Sequence, residues 1–365
     1  MLQRGLKNVV AAETSISLVD GENGQLIYKG YDVKELVLNY SFEEITYLLW
    51  YGYLPNKEEQ HQFSVLLKNN RSLPSYVYQV IEALPNDMDM MSQIRTAVSA
   101  FGGKEFTWKP NIEQAIRLTA AIPSITAMIY RKINGEETVP PHLELNHVEN
   151  YLYMLTGKVP SIKHAKALEA YMILTMEHGM NASTFTARVV SSTESDMVSA
   201  VTGAIGAMKG PLHGGAPTGV IDMLNEIKEK ENTERWIRRK LENKEYLMGF
   251  GHRVYKTRDP RAEVLSTICQ RIGQDDPWLH LAGYVEKIAI QLLEEYKPGR
   301  KLYTNVEFYA AAVMKAIDMP PELFTPTFTV SRMVGWTAHV IEQSIDNTIF
   351  RPEAKYIGNQ PEIIN

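Results

Sequence analysis

LEAYMILTMEHGMNASTF (168–185) sets a pattern that recurs along the chain. Leu168, Tyr171, Met172 and Thr175 fall at i, i+3, i+4 and i+7, which lines up one face of an α-helix. Gly179 follows the end of that run near Met176, where a glycine commonly closes a helix. Asn181 and Ser183 come next, and their short polar side chains suit the cap of a second helix. His178 is left on the turn between the two, the kind of place where functional groups are displayed.

Toward the N-terminus, SFEEITYLLW (41–50) opens with a capping box, Ser41 with Glu44, and continues with Ile45, Leu48 and Leu49 on one face. Toward the C-terminus the same spacing returns in Leu281, Tyr284, Val285 and Ile288, and again in Val334, Thr337, Ala338 and Ile341. Pro123 interrupts NIEQAIRLTAAIPSITAMIY (111–130) and is expected to kink or divide that helix, because proline lacks a backbone N–H and crowds the preceding turn. Strand signals are few. In ISLVDGENGQLIYKG (16–30), Asp20, Gly21, Asn23 and Gly24 separate two short β-prone runs and predict a small hairpin. No fixed-period repeat or low-complexity tract appears, and the fold class is all-α.

At 365 residues the chain is longer than one hydrophobic core usually serves, so two domains are expected. Apolar residues at 44% and charged residues at 22% are the proportions of a soluble globular protein. A net charge of −5 argues against nucleic acid or an anionic membrane as the main partner. An anionic ligand must then be held by local arginines. The single cysteine, Cys269, lies beside Leu265 and Ile268, cannot form an internal disulfide and reads as a buried structural thiol. The first fifteen residues lack the apolar stretch of a signal peptide, and no run approaches the ~20 apolar residues of a membrane span. The expected location is the cytoplasm.

Of nine histidines, His61, His142, His147, His164 and His280 sit in polar or helical surroundings and read as surface or satisfied groups. His178, His213 and His252 differ because glycines flank them, and glycine permits tight turns and close approach of a ligand. His213 lies in KGPLHGGAP (209–217), just before Pro217, which suits the first turn of a helix carrying Val220, Leu224 and Ile227. His252 lies in GFGHRVYKTRDPR (249–261). Metal binding is the first rival: the three histidines have no compact ligand spacing, and neither HExxH nor a cysteine pair is present. LTGKVPS (155–161) is not a phosphate loop, GFGHRV (249–254) lacks the third glycine of a dinucleotide fingerprint, and GxSxG is missing.

GPLHGGA (210–216), GFGHRVYKTRDPR, EHGMNASTF (177–185), SRMVGW (331–336) and FRP (350–352) together resemble the signature segments of the citrate synthase family, in its chain order. The similarity runs from GLKNVVAAETSIS (5–17) to RPEAKYIG (351–358), and the length resembles the shorter bacterial and archaeal dimeric branch. The family condenses an acyl-CoA with a 2-keto acid, usually acetyl-CoA with oxaloacetate, through an enol. The resemblance gives His213 the thioester oxygen, His252 the keto oxygen and Glu307 of NVEFY (305–309) the position of the base. It gives oxaloacetate to His178, Arg261, Arg332 and Arg351, and a CoA phosphate to Lys256. It implies a homodimer with Arg351 donated across the interface, no cofactor and no metal. It also implies a large helical domain (1–213 plus 319–365) with a small helical domain (214–318) inserted, closing over the site. One position departs from the pattern: Glu307 stands where the family has aspartate.

The chemistry fits these side chains. A carboxylate cannot remove a thioester α-proton unless a preorganised donor stabilises the enol oxygen that develops. A neutral imidazole beside a helix N-terminus suits that task. Guanidinium groups grip carboxylates bidentately. Ordinary readings stand beside several residues: Arg332 as a helical ion-pair residue, Arg351 and Lys256 as solvated cations, KPGRK (297–301) as a surface turn and His339 as structural. The alternatives are a 2-methylcitrate synthase using propionyl-CoA, set apart by one methylene, and a catalytically weak helical scaffold of the same fold.

Overall fold

The computed structural model describes residues 3–6, 8–214, 216–252, 254–272 and 276–359, with backbone alone at 216–218 and 272. The described residues form sixteen α-helices and one small antiparallel sheet, joined by turns, loops and two short 3-10 helices. The sheet begins with the expected hairpin, β1 (Ser17–Asp20) paired to β2 (Gln25–Tyr28), and adds a short β3 (Tyr31–Asp32).

Helix α16 (Phe324–Ile345) is the axis of the larger group of helices. It is buried on nearly all sides, with Val330, Met333, Val334, Trp336 and Val340 among its core residues and polar groups such as Arg332 and His339 buried beside them. Packed on it are α2 (Phe42–Tyr51), α5 (Met90–Ala100), α6 (Ile112–Ile133), α8 (Ile162–Thr175), α9 (Ala182–Ser192) and α10 (Met197–Met208). The capping box of α2 forms as the sequence predicts, with Ser41 and Glu44 each satisfying the other's backbone N–H. Leu168, Tyr171, Met172 and Thr175 of α8 are all buried.

A second group of helices packs mainly on itself: α11 (Ala216–Ile227), α12 (Lys230–Glu242), α13 (Pro260–Ile272), α14 (Pro277–Tyr296) and α15 (Val306–Ala316). Helices α13 and α15 also touch α8. Val220, Leu224 and Ile227 line the buried face of α11, whose first turn includes Pro217; Gly215 lies outside the described residues. Cys269 is buried, and burial pushes its thiol up to about 12, as befits a structural thiol.

Two expectations are corrected. Pro123 does not divide its helix: α6 runs unbroken from Ile112 to Ile133, anchored by a capping box at Asn111 and Gln114. The helix is buried along most of its length, and that packing outweighs the ~3 kcal/mol cost of an interior proline. His147 is neither on the surface nor fully satisfied. Its ring is buried, stacked on Phe42 at 4.7 Å, and Nε2 has no partner. Burial, then the nearby Arg71, hold it down to about 3.

Candidate active site

Three turns bring the glycine-flanked histidines to the junction between the two groups of helices. The first follows α8 and carries His178. Asn181 then caps α9 by accepting from Thr184 N.

The second turn is built from two distant stretches. Gly251 N donates to Tyr303 O at 2.7 Å, Asn305 N donates to Gly249 O at 2.9 Å, and Phe250 bridges Thr304. Gly249 takes a φ of 82°, and a Cβ there would sit 2.9 Å from Phe308 Cβ, so both backbone and space require glycine. Asn305 does double duty: Oδ1 caps α15 by accepting from Glu307 N at 3.0 Å, and Nδ2 donates to Gly251 O at 2.9 Å. The pairing ties the loop of His252 to the helix that starts at Val306 and carries Glu307 in its first turn.

The third turn, 211–214, carries His213. Gly214 lies so close to α10 that a Cβ would meet Met208 O at 2.3 Å, and its carbonyl accepts from Thr325 Oγ1 at 2.8 Å. Only glycine lets the turn sit there.

His252 Nδ1 accepts from Val254 N and Tyr255 N, both at 3.1 Å, so the ring proton resides on Nε2. An Arg261 terminal nitrogen approaches that Nε2 at 3.5 Å. Both groups are then donors, so this is two donors converging on shared space rather than a bond between them. Arg261 is itself held by Asp259, with Nε to Oδ1 at 3.0 Å and NH2 to Oδ2 at 2.9 Å, and Val306 N also donates to Asp259 Oδ2. The rings of His178 and His252 lie 5.7 Å apart, and Tyr255 packs against both, its hydroxyl 3.1 Å from His178 Nε2. Arg332 is buried in α16, donates Nε to Thr175 O at 2.6 Å and lies 4.7 Å from the Phe328 ring centroid. The His213 ring lies edge-on to the same Phe328 ring at 6.3 Å, with Nε2 2.7 Å from Ser183 Oγ.

The electrostatics keep all three histidines neutral near pH 7. Burial, then Arg332, bring His213 down to about 4. Burial, then Arg261, do the same for His252. His178 is held well below its usual value by burial, Arg261 and His252. The causes are burial and the arginines, where the sequence had suggested a helix dipole. Burial opposes ionisation of Asp259, but Arg261 overrides it and holds the carboxyl below the usual range. Glu307 moves the other way: burial raises it, Arg261 and Asn305 oppose, and Asp259 adds to the rise. Arg332 is pulled down to about 10 by burial, with Glu177 acting against that.

His178, His252, Arg261 and Arg332 therefore gather with Glu307 and His213 around one junction. Among the described residues Arg332 forms no ion pair and no side-chain hydrogen bond other than that from Nε to Thr175 O. Arg351 does not join them within this chain. It is exposed, following Phe350, whose N–H donates to Ser192 Oγ and whose ring packs on Phe185. Lys256 is exposed with its backbone N–H on Gly21 O, in the loop leading from His252 to Arg261. No group of three or more His, Cys, Asp or Glu among the described residues is placed to hold a metal ion.

Three further residues belong to this constellation. Ser183 reads in sequence as a helix cap, but its hydroxyl accepts from Trp336 Nε1 at 3.0 Å and lies within bonding distance of both Asn181 Oδ1 and His213 Nε2. Asp259 and Tyr255 stand inside the quoted motif around His252, and an aspartate two residues before an arginine was the available signal for the first.

Neutral imidazoles, guanidinium nitrogens without a protein acceptor and a half-buried carboxylate together suit the binding of an anion and the movement of protons. The family model described as "Citrate synthase, C-terminal domain" matches residues 5–353. The citrate synthase of Haloferax volcanii is 41% identical, over 98% of this chain and 96% of its own length. The 2-methylcitrate synthase of Shewanella oneidensis is 39% identical, over 98% and 95%. The solved citrate synthase of Thermoplasma acidophilum, in ternary complex with carboxymethyl coenzyme A and oxaloacetate, superposes with a TM-score of 0.92 at 31% identity, covering 99% of this chain and 97% of that one. This chain belongs to the citrate synthase family, and it is a transferase of the acyl-condensing kind.

Proposed function

We propose that the protein condenses acetyl-CoA with oxaloacetate and water to give citrate and CoA. The observation that carries this is the convergence of His252 Nε2–H and Arg261 on shared space, with the loop of His252 hydrogen-bonded to the residue that caps the helix of Glu307. Oxaloacetate is held by His178 and by the guanidiniums of Arg261 and Arg332, its keto oxygen on His252. Glu307, its carboxyl raised by burial, takes the methyl proton of the thioester. When the Ser183 hydroxyl turns its one hydrogen from Asn181 Oδ1 to His213 Nε2, the imidazole keeps its own proton on Nδ1, and Nδ1–H donates a hydrogen bond to the thioester oxygen as the enol forms. The enol carbon attacks the keto carbon, and His252 supplies the proton that makes the alkoxide a hydroxyl. Water then cleaves the thioester and frees CoA. Lys256 binds a CoA phosphate.

The same reading makes the protein a cytoplasmic homodimer in which Arg351 completes the partner's site. It divides the chain into a large domain, 1–213 with 319–365, and a small one, 214–318, whose closure excludes water. No helix among the described residues is long and apolar enough to cross a membrane. The test is thiol release with acetyl-CoA or propionyl-CoA against several keto acids. Release is expected only when both substrates are present, fastest with acetyl-CoA and oxaloacetate. His213→Ala and His252→Ala should each lower kcat by about 10²–10⁴-fold with folding intact. Near-normal turnover in either would refute the roles, and faster propionyl-CoA turnover would make it a 2-methylcitrate synthase.

A further inference from the structure

Glu177, beside His178, is fully buried and belongs to none of the roles above. Its Oε1 accepts from Gly179 N at 2.5 Å, Ser17 Oγ at 2.8 Å and His339 Nε2 at 3.1 Å. Its Oε2 is buried with no partner at all. That oxygen faces α16 at Gly335, where a Cβ would lie 2.5 Å away. Along α16, Arg332, Gly335, His339 and Glu342 follow helical spacing on one face.

His339 does not neutralise the carboxylate. Arg188 Nε can only donate, so His339 Nδ1 accepts from it at 3.1 Å, and the ring is neutral with its proton on Nε2. Arg188 in turn pairs with Glu342, which accepts from Ser15. The charge of Arg188 is thereby used, and the cation left for Glu177 is Arg332. Burial opposes ionisation of Glu177, yet the hydrogen bond from His339, the charge of Arg332 and the hydrogen bond from Ser17 hold its carboxyl below the usual range. Across the pocket Arg261 is likewise matched to a carboxylate of its own, Asp259.

We propose that Glu177 sets the affinity of the keto-acid pocket: it is a built-in anion that offsets Arg332, so that dicarboxylate substrate and carboxylate product bind less tightly than an unopposed guanidinium would hold them. This rests on the assignment of Arg332 to a substrate carboxylate. The chemistry fixes the sign of the effect. An anion buried near a binding cation repels an incoming carboxylate, and removing its charge strengthens binding. Damage to the pocket would do the reverse.

Glu177→Gln is the test, because the amide oxygen can still accept from Gly179 and Ser17 while the charge is gone. Steady-state kinetics should show the oxaloacetate KM falling roughly three- to tenfold, citrate inhibiting at a correspondingly lower concentration, and the acetyl-CoA KM within twofold of wild type. Glu177→Asp keeps the charge and should hold the oxaloacetate KM within about twofold of wild type. An unchanged or raised KM in the folded glutamine variant overturns the proposal. Should that variant fail to fold, a KM raised about tenfold in Glu177→Asp overturns it, since the carboxylate would then act by position. Arg332→Gln separates the two claims. If it leaves the oxaloacetate KM unchanged, the assignment of Arg332 has failed; if it raises KM while Glu177→Gln does not lower it, only the present proposal has.

Discussion

Ser183→Ala removes one oxygen that sits 2.7 Å from His213 Nε2, 3.0 Å from Trp336 Nε1 and 2.8 Å from Asn181 Oδ1. Two separable losses follow. Trp336 is buried, so its N–H is left without an acceptor, at a cost of about 1–3 kcal/mol in stability. His213 loses the bond that holds its tautomer and angle. At about 1.5–3 kcal/mol for that bond in the transition state, kcat should fall roughly 10- to 100-fold. The oxaloacetate KM should stay near wild type, because Ser183 makes no contact with His178, Arg261 or Arg332. Two assays report on this together: thiol release for turnover, and exchange of the acetyl-CoA methyl protons with deuterated solvent for enolisation. Both rates should fall in parallel, alongside a lower melting temperature. A variant with the lower melting temperature but turnover within twofold of wild type would show that His213 needs no support from Ser183.

Glu307→Asp should raise kcat with acetyl-CoA, since a displacement of ~1 Å at the base can cost on the order of 10²-fold, whereas Glu307→Gln should reduce it about 10²–10⁴-fold. An aspartate variant slower than wild type would mean that the pocket is fitted to glutamate. Arg351→Ala subunits mixed with Glu307→Ala subunits should regain activity in verified heterodimers, where one of the two sites keeps both residues. The acid limb of kcat should follow Glu307: with its carboxyl raised, the base is lost as pH falls through a value above 4.5, while His213 and His252, near 4, remain neutral. A limb near 6.5 would point to a histidine instead. His147→Phe keeps the stack on Phe42 and removes a group whose folded pKa, about 3, lies below its unfolded value. Wild type therefore loses stability as pH falls below 6.5, and the variant should gain on it by about 2 kcal/mol between pH 7 and 5 in urea unfolding.

Local signals were the ones legible in the chain. The Ser41–Glu44 box, the hairpin around Gly21–Gly24 and the helix start at Asn181 depend on neighbours a few residues away, and each forms as written. The glycine-flanked histidines were also visible, because their turns restrict the residue types allowed. What could not be read depends on partners far along the chain. Pro123 sits in an unbroken helix because surrounding helices enclose it. Ser183 looked like a cap because Trp336 and His213, its actual partners, are remote in sequence. Glu177 was only the residue before a histidine until α16 was laid against it.

The pairing of 249–251 with 303–305 also has a consequence for recombination. Each stretch supplies hydrogen bonds that the other needs, and Gly249 is fitted to Phe308 beyond it. A chimera that imports residues 249–261 from a relative while keeping its own 303–309 would join a foreign loop to a native segment at the bridge that ties the loop of His252 to the helix of Glu307. The two stretches form one unit of exchange despite the helices between them, and libraries built by crossover should retain activity chiefly when both come from the same parent.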